Sequence, residues 1–172
     1  IRRNGKRMGV LLDALIEYLR LGVCPLNIQA HDLGETLTQI INEHFDFSTV
    51  PIELRVQGQW RFDKPLMMRA FKELIDNAIK FSRDTESPKI IIRLNSPSCL
   101  EIIDNGVGFD DEHKAQKFQL FHRMHGNDEF EGEGIGLATA ERIASRHHIN
   151  LQLNRVGNQT VASLQMPETL NP

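Results

Sequence analysis

The chain opens on a helical stripe. Between residues 5 and 20, apolar side chains fall at Met8, Leu11, Leu12, Leu15, Ile16 and Leu19, intervals that put them on one side of a helix. Gly22 and Pro25 in "LGVCPLN" end it. A second helix is predicted from Asp32 to about Phe45, with Asp32 and Glu35 spaced as a capping box. "PIELRV" alternates as a strand does. "KPLMMRAFKELIDNAIKFS" is a long helix that tolerates Pro65 in its first turn, where no N–H is needed. "KIIIRL" and "CLEIID" read as strands on either side of the turn-rich "NSPS". "DEHKAQKF" reads as a short charged helix, residues 119 to 133 as a loop, and another helix runs to about His147. Two strands, "INLQLN" and "TVASLQM", follow, joined across "RVGNQ". This order predicts an α+β fold: a mixed sheet, several of its neighbours antiparallel, covered by helices on one face. No internal repeat interrupts it.

At 172 residues the chain is long enough for one domain with a good core and an appended element. Its formal charge of −3 argues against a general nucleic-acid or membrane-surface binder. It leaves room for an anionic ligand in a locally basic site. Cys24 and Cys99 stand alone, without a CxxC pair, and read as free thiols of a reducing compartment. No charge-free apolar run approaches membrane-spanning length. The opening "IRRNGKRM" begins mid-pattern, so the chain reads as a fragment of a longer protein.

Three stretches carry chemistry. In "KELIDNAIKFS", Glu73 and Asn77 are four apart on a helix and Lys80 is three further on, so the three lie on nearly one face. Asn77 offers a neutral oxygen, suited to Mg²⁺ where phosphates supply the charge. Lys80 could neutralise a phosphate, and Glu73 could orient or deprotonate an attacking group. A solvated helix face with a polar i, i+4 pair would look the same. In "EIIDNGVGFD", Asp104 closes a strand and Gly106 and Gly108 follow. Asn-Gly is a strong hairpin signal, yet charged sequence follows instead of a second strand. A carboxylate held at a strand end accepts hydrogen bonds only, so an exocyclic amino group such as that of adenine suits it. In "FEGEGIGLATAERI", Gly132, Gly134 and Gly136 run into a helix start. This suggests a phosphate near a helix N-terminus. The stretch has neither the preceding strand of a dinucleotide fold nor the GK[ST] of a P-loop, so it is a phosphate loop of another kind or a flexible loop.

In order, "ELIDNAIKFS", "DNGVGF", "FQLFHRMH" and "GEGIGLA" resemble the N, G1, F and G2 boxes of the ATP-binding catalytic domain of sensor histidine kinases, within the gyrase/Hsp90/histidine kinase/MutL superfamily. The resemblance spans roughly residues 27 to 167 and is greatest to kinases of the phytochrome-related kind. It implies a Bergerat-type two-layer α/β sandwich over residues 23–172, with residues 1–22 as the end of a dimerisation helix. It also implies ATP and Mg²⁺ as ligands, with Asn77 on the metal and Lys80 near the phosphates. Asp104 would read the adenine amino group, with Gly106 and Gly108 close to the base. Phe118 and Phe121 would anchor a lid, and Arg123 would approach the γ-phosphate. Gly132, Gly134, Gly136 and Leu137 would border the phosphates. Implied partners are a response-regulator receiver domain, an upstream phosphoacceptor helix and a second copy of the intact protein, in the cytoplasm, with the parent membrane-tethered or not. Two positions depart from the pattern. Glu73 stands where most such kinases have Asn; Glu is the residue of gyrase, Hsp90 and MutL, where it activates water. Glu133 is acidic inside the glycine loop. A kinase, a nucleotide-holding regulatory module and a gyrase- or MutL-like ATPase therefore all stay open.

"HDLGETL" at His31 is similar to a phosphoacceptor box, but only 46 residues separate His31 from Asn77. Two long helices and a strand do not fit in that gap, and a capping box explains the stretch. The acceptor is expected upstream of this chain. His122 and His125 read as solvated loop residues. His147 and His148 sit at a helix C-terminus, which favours positive charge, and no function is assigned to them.

Overall fold

The computed structural model describes residues 2–46, 50–108, 118–120 and 134–167, with side chains of the first helix described from Leu11 onward. In chain order the elements are α1 (Arg2–Leu21), β1 (Gln29–Asp32), α2 (Leu33–His44), β2 (Ile52–Arg55), β3 (Gln59–Phe62) and α3 (Lys64–Ser82). Then come β4 (Ile90–Ser96), β5 (Cys99–Asp104), α4 (Gly136–Arg146), β6 (Asn150–Val156) and β7 (Gln159–Gln165). Helix starts follow local chemistry. Asp32 accepts from the Glu35 N–H at 2.7 Å to cap α2, and Asp63 accepts from the Leu66 N–H at 3.2 Å to cap α3. Each satisfies an orphan donor of a first turn.

Five strands form one sheet in the order β2-β4-β5-β7-β6. β2 and β4 are parallel, and the other neighbours are antiparallel. Side chains of α2, α3 and α4 meet the sheet in one continuous core. Leu37, Ile40, Phe71, Ile75 and Ile143 pack there with Ile90, Ile92, Leu100, Ile102 and Leu164, all nearly inaccessible to solvent. Each such burial contributes about 1.5–3 kcal/mol. The expected mixed sheet under helices is thus the observed architecture.

Three details differ from the sequence reading. β1 and β3 form a separate two-stranded antiparallel ribbon, which the pattern of "QAHD" did not signal. The β6–β7 hairpin turns at Gly157–Asn158 alone, because Arg155, Val156 and Gln159 join the ladder. His147 does not sit at a solvated helix end as a charge. It is buried, its Nδ1–H donating to the Ile143 carbonyl at 2.7 Å and its Nε2 accepting the Asp63 N–H at 3.1 Å. Burial lowers its pKa, so it is the neutral imidazole that joins α4 to the cap of α3. The expected helix "DEHKAQKF" and the loop 119–133 fall almost wholly outside the described residues.

The end of α1 is held against α4. The Arg142 guanidinium lies 4.5 Å from the Tyr18 ring centroid. Arg146 donates to the Leu21 carbonyl at 2.6 Å, to Cys24 Sγ at 2.9 Å and to the Cys24 carbonyl. Arg69 of α3 pairs with Glu17 at 2.9 Å. Further up α1, Leu12 and Leu19 remain 58% and 56% exposed. Cys24 and Cys99 are free thiols.

Candidate functional site

Helix α3 organises the site. At its last turn the loop after β5 is strapped to it: the Val107 N–H donates to the Phe81 carbonyl at 3.1 Å. Gly106 passes so close that an added Cβ would overlap that same carbonyl. Only glycine permits this approach. Asn105 completes the strap, accepting from the Lys89 N–H at 2.8 Å and donating to the Ser87 carbonyl at 2.7 Å.

The strap seats Asp104 at the end of β5, 6% exposed. Its Oδ1 accepts the Gly106 N–H at 2.9 Å, and the Thr160 side chain also hydrogen-bonds it. Thr160 reaches it because Asp104 and Thr160 are register partners of β5 and β7. Burial outweighs these two bonds and pushes the Asp104 carboxyl up to about 6. The result is a buried acceptor with remaining lone pairs, in want of a donor. Thr160 was not among the sequence candidates. A lone Thr carries no signal until the strand order is known.

Two turns back along α3, Glu73 lies against the start of α4. A Cβ on Gly136, the first residue of α4, would overlap its carboxylate. Burial raises the Glu73 pKa. The α4 N-terminus has Ile135 at its cap position and no side-chain cap bond, and its positive end, beside the Glu73 carboxylate, favours an anion. Gly134, just before it, takes φ +71°, a conformation that favours glycine. Between the two ends stand Asn77, half-buried, and Lys80, whose Nζ is 4.9 Å from the Phe81 ring centroid. From Glu73 to Phe81 is eight residues, about 12 Å of helix rise. The candidate site is therefore the stretch along α3, with an amino-group acceptor near one end and a helix N-terminus near the other.

The fit to a nucleotide with its metal rests on these contacts. Asp104 and the Gly106 strap suit a purine amino edge, and the uncapped α4 start suits phosphate. Among the described residues no three His, Cys, Asp or Glu side chains cluster as a metal cage. A cation beside Asn77 would take its remaining ligands from phosphate and water. Of the other candidates, Gly108 is buried with φ +71°, and Phe118 and Leu137 pack on the core. Phe121, Arg123, Gly132, Glu133, His122 and His125 lie outside the described residues. His31 lies on β1, its ring 5.1 Å from that of Phe62.

Such a set of groups on a helix-covered mixed sheet suits a nucleotide-binding domain. Residues 62–170 match the family of histidine kinase-, DNA gyrase B- and HSP90-like ATPases, and the chain belongs to that family. Among its relatives, cyanobacterial phytochrome A of Nostoc sp. is 40% identical over 151 residues. The phytochrome-like protein Cph1 of Synechocystis sp. is 30% identical over 146 residues. Each alignment covers 81% of this chain and 19% of the relative, so the chain spans about a fifth of their length. Among solved structures, the mycobacterial sensor histidine kinase MprB shares the fold with a TM-score of 0.64 at 22% identity, over 81% of this chain and 97% of that one. Full-length ShkA in complex with AMPPNP shares it with a TM-score of 0.72 at 16% identity, over 96% of this chain and 37% of that one. The chain thus carries the catalytic ATPase-type domain found in sensor histidine kinases.

Proposed function

We propose that this chain binds MgATP along α3 and transfers the γ-phosphoryl group to a histidine on a helix outside the chain, as part of a two-component sensor kinase. The carrying observation is the placement along α3 of the buried Asp104 acceptor near one end and the uncapped α4 start near the other. Asp104, helped by Thr160, accepts from the adenine amino group. Gly106 and Gly108 let the loop lie close to the base. Asn77 offers its oxygen to Mg²⁺, which supplies charge neutralisation on the phosphates. Lys80 faces the phosphates. The glycine loop through Gly132, Gly134 and Gly136, with Leu137, borders the γ-phosphate. Phe121 and Arg123 complete the lid side. The protein's work is positioning and charge stabilisation.

In this reading residues 1–22 are the end of a dimerisation helix and residues 23–172 the catalytic domain. The exposed side chains of α1 pair in the intact homodimer. A receiver domain takes the phosphoryl group next, and the setting is the cytoplasm. No helix among the described residues is long and apolar enough to cross a membrane.

Glu73 supports a second reading. A carboxylate of raised pKa beside the phosphate end is suited to accept a proton from water, which would make the domain a hydrolase. Two measurements separate the readings. Calorimetric titration of an ATP analogue with Mg²⁺ into this chain, and into Asp104→Asn, tests the pocket: absence of binding by the parent sinks both readings. Addition of the acceptor helix then distinguishes them. Acid-labile phosphohistidine supports transfer. Phosphate release without any acceptor, lost in Glu73→Gln, supports hydrolysis.

A further inference from the structure

We infer that Arg155 is a further nucleotide-contacting residue, forming the outer wall of the base pocket; this rests on the base-pocket reading above. Three observations carry it. First, the register sets Asp104 of β5 opposite Thr160 of β7, and Thr160 opposite Arg155 of β6. Directly paired residues share a sheet face, so all three project to the helix-covered side. Their backbones span two strand spacings, about 10 Å.

Second, alternation along β6 puts Leu151, Leu153 and Arg155 on that same side. Leu151 and Leu153 pack in or against the core. A cation as the third member adds nothing to that packing. Among the described residues Arg155 has no carboxylate partner, and its hydrogen bond from Nε to the Gly157 carbonyl is a long one, 3.4 Å.

Third, the guanidinium of this exposed residue is folded back onto the loop after β5. It is laid over Gly108, where an added Cβ would stand 3.1 Å from Cζ and 3.2 Å from Nη1. Gly108 is four residues beyond Asp104, on the glycine loop that borders the pocket. A planar cation held flat on that loop presents a face to which a purine ring can pack, by stacking and cation–π attraction. An ammonium group on a flexible stem cannot reproduce this.

The test is a calorimetric titration of the whole chain, with free adenosine and with ADP, in the parent, Arg155→Ala and Arg155→Lys, at low and high salt. The expected result is a similar loss for both ligands in Arg155→Ala, about 5–10-fold, little changed by salt and not restored in Arg155→Lys. Unaltered adenosine affinity in Arg155→Ala overturns the inference. So does a loss confined to ADP that vanishes at high salt, which is a diffuse charge effect. Thermal unfolding without ligand guards against a structural cause. If Arg155→Ala lowers stability and Arg155→Lys restores stability and affinity together, the residue only braces the loop and the inference falls. A parent chain that binds neither ligand refutes the base pocket itself, a failure visible before any Arg155 variant is made.

Discussion

Replacing Asp104 with Asn should stabilise the empty domain while weakening its hold on nucleotide. The reasoning starts from burial. The Asp104 carboxyl is pushed from 3.8 to about 6, first by desolvation, with the Gly106 and Thr160 bonds opposing. A group whose native pKa is raised adds stability that is complete below its unfolded pKa and is lost as pH rises through the native one. Here that window runs from about pH 4 to about pH 6. The shift is about two units, worth about 3 kcal/mol, so above pH 7 the ionised Asp104 costs the fold up to that amount. Asn keeps the shape and an acceptor oxygen without the charge. At pH 8 the variant should gain up to about 3 kcal/mol, or about 6–12 °C in Tm for a chain of this size. At pH 4 the difference should vanish. Nucleotide binding reverses the preference, because an amino donor favours the carboxylate. Binding near pH 6 should therefore release protons, seen as a calorimetric enthalpy that varies with the ionisation heat of the buffer. Melting curves of parent and variant from pH 4 to pH 8 decide the matter. Parallel curves across that range, or a variant less stable at pH 8, would refute the assignment of Asp104 as a desolvated carboxylate.

Further expectations test other contacts. Gly106→Ala forces a Cβ into the Phe81 carbonyl; it should cost about 1–3 kcal/mol in denaturant unfolding and lose nucleotide binding in the same titration. His147 is held neutral with a lowered pKa, so its contribution is complete above the unfolded value of 6.5 and falls as pH drops below it; His147→Gln should flatten that acid limb of the stability profile. Arg146→Ala removes donors to Leu21 and Cys24 and should cost about 1–3 kcal/mol, read as faster amide exchange at the end of α1 with little change in the sheet.

Legibility varied with the range of the forces involved. α3 was readable as a long helix with a proline in its first turn, because what starts it is local. β5 was equally plain, a short apolar run ending in an acid. The β1–β3 ribbon was not, because its four-residue strands have little pattern of their own and exist through each other. Within the site, Asp104, Asn77, Lys80 and the glycines announced themselves by type and spacing. Their neighbours did not. Thr160 meets Asp104 only through the β5–β7 register, and the Phe81 carbonyl that receives the loop is a backbone atom, invisible in any motif. His147 shows the opposite error: its place after a helix suggested a charge, while packing against the cap of α3 removed it from water.

These long-range contacts fix more than the site. Gly136 at the start of α4 lies on Glu73, and His147 at its end accepts the N–H of Asp63. The helices therefore run antiparallel. The ten residues from Asp63 to Glu73 rise about 15 Å, and the eleven of α4 rise about 16 Å. With matched lengths and contacts at both ends, α4 cannot slide by a turn without exposing or stranding a buried imidazole. The next residue inward, Arg146, grips the end of α1. The α4 N-terminus, offered to phosphate, and the α1 junction are thus two ends of one rigid helix. Movement at the junction reaches the site as a displacement of the whole of α4, or it must first break the His147–Asp63 bond.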